Sequence, residues 1–142
     1  MSGTPRRTAR VVAALISHPD DPRRYLVQRR LPGGSRALLW EFPGGKVEPG
    51  ESDAQALVRE CREELDVELS VGRQLWSVAH DYEDLQVNLA LYDARVVSGT
   101  PRPLRAAELR YVAAGELQQL PFCEADVALL DALASGRVGA GR

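Results

Sequence analysis

The chain has 142 residues, 44% of them hydrophobic and 27% charged, a profile that suits one globular domain built on a single core. Its formal net charge of −2 excludes the cationic surplus on which broad adhesion to DNA, RNA or an anionic membrane depends. No apolar run approaches the roughly 18 to 20 residues that span a bilayer, and the first residues lack a hydrophobic secretory segment, so a cytoplasmic protein is expected.

Residues 1–8 are small, polar and basic, and residues 135–142 are rich in Gly and Arg without an apolar period. Both are expected to be flexible tails around one domain at residues 9–134. Residues 11–16 form a short β-branched, apolar run closed by the turn-rich segment 18–22, which predicts a buried strand and a hairpin loop. Residues 25–30 supply the returning strand, and Pro32-Gly33-Gly34-Ser35 a flexible loop. Ser52 at an N-cap and Gln55 three positions later form a capping box, so a helix begins at Asp53. Beyond it, residues 75–79 are expected to pair as a hairpin with residues 85–96. There Leu85, Val87, Leu89 and Leu91 recur on one side, as in a half-buried antiparallel strand. Residues 109–112 predict a further short strand, and residues 124–134 a terminal amphipathic helix with Val127, Leu130, Leu133 and Ala134 on its apolar side. The sum is an α/β (α+β) domain, a mixed β-sheet between helices in an α/β/α sandwich.

Cys61 and Cys123 are not in a C-x-x-C pair and read as small buried apolar residues. His18 and His80 have no second imidazole at ligand spacing and read as loop or strand-end residues. The informative segment is the predicted helix. At about 100° per residue, Ala54, Leu57, Val58, Cys61 and Leu65 fall in one apolar arc, while Glu60, Glu63 and Glu64 gather on another. Alone, three glutamates make an ordinary solvated face. The ten residues before the helix, Phe42-Pro43-Gly44-Gly45-Lys46-Val47-Glu48-Pro49-Gly50-Glu51, hold three glycines and two prolines, a loop suited to close backbone approach. Carboxylate and carbonyl oxygens brought together in this way suit a hard cation such as Mg²⁺, which commonly binds a few carboxylates plus substrate phosphates.

Gly45, five residues, Glu51, seven residues, then Arg59-Glu60-Cys61-Arg62-Glu63-Glu64-Leu65-Asp66-Val67 resembles the Nudix box. That motif reads Gly-x5-Glu-x7-Arg-Glu-U-x-Glu-Glu-x-Gly-U, with U an apolar residue. The departure is Asp66 in place of Gly, which bears on helix termination, since Asp also adopts the left-handed conformation at modest cost. Residues 28–30, 39–46 and 108–112 and the 124–126 segment are similar to the MutT-like branch, which includes enzymes acting on oxidised nucleoside triphosphates and a CTP-acting group.

The resemblance implies a Nudix-type sandwich and roles for particular residues. Glu60 and Glu64 become principal metal ligands, with Glu63 and the Gly44 carbonyl as further ones. Arg59 pairs with Glu51 to hold the loop against the helix, and Glu108 binds metal or assists the attacking water. Arg30 and Lys46 are candidates for phosphate contact, Asp126 for reading the base edge, and Phe42 and Phe122 for surface against the base. The implied reaction is Mg²⁺-dependent attack of water on an internal phosphorus of a nucleoside triphosphate, giving monophosphate and pyrophosphate, with Mn²⁺ a possible substitute. The partner is a small nucleotide, with neither nucleic acid nor membrane, and the protein is a monomer or homodimer. Alternatives are a Nudix activity on ADP-ribose, a dinucleoside polyphosphate or a nucleotide sugar, and a nucleotide-sensing domain without turnover.

Overall fold

A computed structural model describes residues 7–139. Seven strands and two α-helices follow in chain order: β1 (Thr8–His18), β2 (Asp21–Arg29), β3 (Trp40–Glu41), β4 (Gly44–Lys46), α1 (Asp53–Leu65), β5 (Glu68–Asp81), β6 (Gln86–Ser98), β7 (Glu108–Ala113) and α2 (Val127–Ala134). Short 3-10 turns at Ala114–Gln119 and Glu124–Asp126 lead into α2.

The sheet runs β3-β2-β1-β6-β5, with β4 on β1 and β7 on β2. It is mixed, because β1 and β6 are parallel from Thr8↔Gln86 to Ile16↔Ala94 whereas the other pairings are antiparallel. Alternation along β1 sends Val12, Ala14 and Ile16 to one face and Ala13 and Leu15 to the other. The first face packs on Leu57, Cys61 and Leu65 of α1, the second on Leu129, Leu130 and Leu133 of α2. Helices on opposite faces of one sheet make the expected α/β/α sandwich.

Several elements differ from the sequence reading. The strand predicted over residues 75–79 extends over Glu68–Asp81, and three register shifts against β6 break the period of two that would have shown it. β6 is covered on both faces: Val87, Leu89 and Leu91 face α2, while the small residues Ala90 and Ala94 admit α1 closely. In α2 the buried side chains are Leu129, Leu130, Ala132 and Leu133, and Val127 is 55% exposed, because Glu124–Asp126 is a 3-10 turn that resets the helical phase. Thr8 already pairs in β1. Val138 packs against the α2-side cluster, and Arg137 bonds Asp131, so residues 135–139 sit against α2. The remaining residues assigned to tails, 1–6 and 140–142, lie outside the described residues.

The start of α1 carries the reciprocal capping box, with Gln55 N–H donating to Ser52 Oγ at 3.1 Å and Ser52 N–H to Gln55 Oε1 at 2.9 Å. It ends at Asp66 in the left-handed conformation, φ 60°, whose N–H closes on the Arg62 carbonyl. The buried stripe is Ala56, Leu57, Cys61, Glu64 and Leu65, whereas Ala54, expected on the apolar arc, is exposed. Packing face and acidic face therefore overlap at Glu64.

Candidate active site

Glycine places the loop against the helix. A side chain on Gly44 would collide with the Val12 carbonyl and reach 2.8 Å from Ala13 Cα, so only glycine lets β4 lie this close to β1. A side chain on Gly45 would occupy the space of the Glu60 carboxylate. Arg59 fastens the pair from the other side: Nε donates to Glu51 Oε2 at 2.7 Å, Nη2 to Glu51 Oε1 at 2.9 Å and to the Lys46 carbonyl at 3.0 Å, and Nη1 to Glu60 Oε1 at 2.5 Å. This bidentate pairing holds the Glu51 carboxyl down at about 2, well below its usual range.

Glu64 is 6% exposed, and Gln28 Nε2 donates to its Oε1 at 2.8 Å. Its Oε2 is buried and accepts no hydrogen bond among the described residues. Burial pushes its carboxyl up to about 8 against the opposing pull of the Gln28 amide, and the negative charges of Glu60 and Glu41 add to the rise. Glu41, on β3 in register with Gln28, accepts from Arg30 Nη1 at 2.9 Å, and burial raises its carboxyl too.

Two adjoining cavities flank these groups. One of about 280 Å³ is bordered by Gln28, Arg30, Glu41, Gly44, Glu60 and Glu64. Arg30, Glu41 and Gly44 also border the second, about 320 Å³, which runs past Phe42 and Lys46 to Asp126. Asp126 is 5% exposed, and no hydrogen bond to its carboxyl group is found among the described residues. Burial, with the charge of Glu41 behind it, pushes that carboxyl up to about 8, so it keeps its proton at neutral pH and both donates and accepts. A larger cavity, about 840 Å³, lies beside Ser17, Leu26, Ala94 and Tyr111, and none of the sequence-predicted site residues borders it.

The fold thus brings together Glu60, Glu64, Gly44, Arg30, Lys46, Phe42 and Asp126, with Arg59 and Glu51 behind them. Three candidates stand apart. Glu63 turns to Arg105 at 3.3 Å and Arg59 at 3.6 Å and borders neither cavity. Glu108 pairs in register with Arg29, so it shares the face opposite Gln28 and α1, and it binds Arg110, whose guanidinium lies over the Trp40 ring. Phe122 supports Phe42 from behind, with ring centroids 5.5 Å apart. Gln28, Glu41, Arg36 and Tyr82 border the cavities and were not singled out from sequence. For Gln28 a signal existed: an amide continuing the apolar run Tyr25-Leu26-Val27 on a strand buried on both faces.

A family model described as NUDIX domain matches residues 12–132. The chain belongs to the Nudix family. This Nudix chain is 38% identical over 122 residues to the CTP pyrophosphohydrolase of Escherichia coli strain K12, covering 86% of itself and 88% of that protein. It is 35% identical over 108 residues to the putative 8-oxo-dGTP diphosphatase 2 of Mycobacterium tuberculosis strain H37Rv, covering 71% and 72%. Among solved structures, the E. coli ORF135 protein superposes with a TM-score of 0.77 at 36% identity, covering 93% of this chain and 92% of that one. The MutT protein from Methanosarcina mazei Go1 superposes with a TM-score of 0.82 over 95% and 99%, and at 21% identity it shows the shared fold. The Nudix domain is accordingly a hydrolase domain of a family that in general uses a divalent metal. No helix is long and apolar enough to cross a membrane among the described residues.

The residues present fit such a metal. The orphaned Glu64 Oε2, the Glu60 carboxylate and the Gly44 backbone form an all-oxygen donor set beside one cavity. Among the described residues no three acidic, His or Cys side chains form a ready cage. A hard divalent cation takes such oxygen donors and completes its shell with water and substrate phosphates.

Proposed function

We propose that the chain is a Mg²⁺-dependent nucleoside triphosphate pyrophosphohydrolase of the nucleotide-pool-sanitising kind, releasing a nucleoside monophosphate and pyrophosphate. The observation that carries the reading is that two cavities share the wall formed by Arg30, Glu41 and Gly44, one bordered by the Glu60 and Glu64 carboxyl groups and the other by the buried Asp126. A cavity of about 320 Å³ lies at the small end of ligand sites, whose usual range is roughly 300 to 1,000 Å³.

Glu60, Glu64 and the Gly44 carbonyl would hold the metal, which when bound screens the phosphate charge, stabilises the leaving group and lowers the pKa of the attacking water. Arg30 and Lys46, between the two ends, supply positive charge for the phosphates. Arg59 and Glu51 hold β4 on α1, so that the carbonyl and carboxylates keep their spacing. At the far end the base lies against Phe42, and neutral Asp126 offers one donor and one acceptor. A cytosine edge answers that pattern with its N3 and its 4-amino group, whereas two ionised oxygens would ask for two N–H groups. CTP and dCTP are therefore the first substrates to expect, in keeping with the name of the E. coli relative, with 8-oxo-dGTP second, in keeping with the mycobacterial one.

The test is product analysis with CTP, dCTP and 8-oxo-dGTP in Mg²⁺. Pyrophosphate and the monophosphate are expected in equal amounts. Release of single phosphates, or no turnover of any triphosphate by folded protein, overturns the reading.

A further inference from the structure

We propose that Gln28 is a positioning residue whose side-chain amide orients the Glu64 carboxylate and ties it to the wall of the base cavity. The inference rests on the hydrolase reading above, since it assigns Gln28 a role through Glu64. Gln28 lies on β2, 4% exposed, where an amide buried without partners is costly. Its Nε2 donates to Glu64 Oε1 at 2.8 Å and, more weakly, to Glu41 Oε2 at 3.4 Å. Both acceptors on this side, Glu64 Oε1 and Glu41 Oε2, meet the amide nitrogen, so the NH₂ end faces the carboxyl groups and the amide oxygen faces away from them.

The arrangement leaves Gln28 Oε1 buried without a partner among the described residues. A side chain present only to fill space would not carry that penalty, since methionine or leucine fills the same volume without it. What the amide supplies is direction. It engages one oxygen of Glu64 and leaves Oε2 as the oxygen without a bond. On its other side the amide reaches Glu41, whose Oε1 is held by Arg30, so a chain of polar contacts runs Arg30–Glu41–Gln28–Glu64 from the base cavity to α1. Gln28 and Glu41 are also backbone partners across β2 and β3, which fixes the spacing of the donor and the first carboxylate.

The experiment is Mn²⁺ binding to metal-free, nucleotide-free protein, followed by electron paramagnetic resonance, for the wild type, Gln28→Met and Glu64→Gln. Methionine keeps the length and packing of Gln28 and removes the donor. Loss of a group that orients a metal ligand characteristically lowers affinity about 10- to 100-fold, and that loss is expected for Gln28→Met with an unreduced urea midpoint and a fall in kcat rather than a rise in KM. Gln28→Leu is measured alongside, so that an unfolded methionine variant does not end the test. Mn²⁺ affinity within about twofold of wild type in a folded donor-less variant, while Glu64→Gln abolishes binding, overturns the role of Gln28 alone. Wild-type protein that binds no Mn²⁺, or binds it unchanged in Glu64→Gln, overturns the metal reading of α1 and the Gln28 proposal with it.

Discussion

Asp126→Asn isolates the cost of keeping a carboxyl group buried in the cavity beside Phe42. In the folded chain burial raises this group's pKa to about 8, against 3.8 for a free aspartate, so between these values the folded protein keeps a proton that the unfolded chain has released. Stability falls with rising pH wherever the native state binds more protons, at about 1.4 kcal/mol per pH unit for a difference of one proton. The penalty is absent below pH 4, grows up to about pH 8 and then levels. Moving from pH 5 to pH 7 therefore removes on the order of 3 kcal/mol of stability through this one group, which for a domain of this size is on the order of 5 to 10 °C in Tm. Asparagine is neutral throughout and keeps the volume, so the variant gains on wild type by that amount over the same interval. Urea unfolding at pH 5, 6 and 7 in EDTA, followed by tryptophan fluorescence, measures the difference, and the titration of Glu64 cancels between the two proteins. Parallel stability curves for wild type and Asp126→Asn would refute a buried, protonated Asp126.

Three further outcomes follow from the site. Glu64→Gln is expected to lower kcat on the best triphosphate by on the order of 10³-fold, the equivalent of several kcal/mol of lost metal-assisted stabilisation, with an unchanged circular dichroism spectrum; near-normal turnover removes Glu64 from the site. Gly44→Ala meets backbone of β1 and is expected to cost roughly 1 to 3 kcal/mol in urea unfolding, whereas Gly45→Ala meets only the mobile end of Glu60 and should spare the fold while weakening Mn²⁺ binding. Equal stability losses in the two alanine variants contradict this difference. Arg59→Lys breaks the bidentate grip on Glu51 and the bond to the Lys46 carbonyl, and activity is expected to fall about 10- to 100-fold. Wild-type rates there would show that β4 holds its place without the guanidinium.

What could be read in the sequence was what lies close along the chain. The capping box spans three positions, so residue spacing gives its geometry directly, while the left-handed stop at Asp66 and the pairing of Arg59 with Glu51 were implied by the resemblance to the Nudix box. The sandwich was legible because hydrophobic periodicity reports which faces need covering. The extent of β5 was not, since bulges shift the period, and neither was the covering of β6 by α1, because Ala90 and Ala94 are small enough to pass for a solvent side.

The helix turns Glu63 away from the cavity that Glu60 and Glu64 border. On a straight helix one residue is a rotation of about 100°, enough to turn Glu63 to Arg105 while Glu64 enters the core. What sets Glu64 apart from Glu60 and Glu63 is what stands opposite it, a single amide from β2. The same holds for the second cavity, where Phe42 and Asp126 lie 84 positions apart in sequence and share its border because β3 bridges, at Trp40–Phe122, to the segment that leads into the 3-10 turn before α2. On the proposed reading the phosphate end draws on the 44–66 segment together with Gln28 and Arg30, and the base end on a contact between residues far apart in the chain. Relatives sharing the 44–66 segment can therefore differ in substrate, and substitutions around 41 and 126 are where such a difference should first be sought.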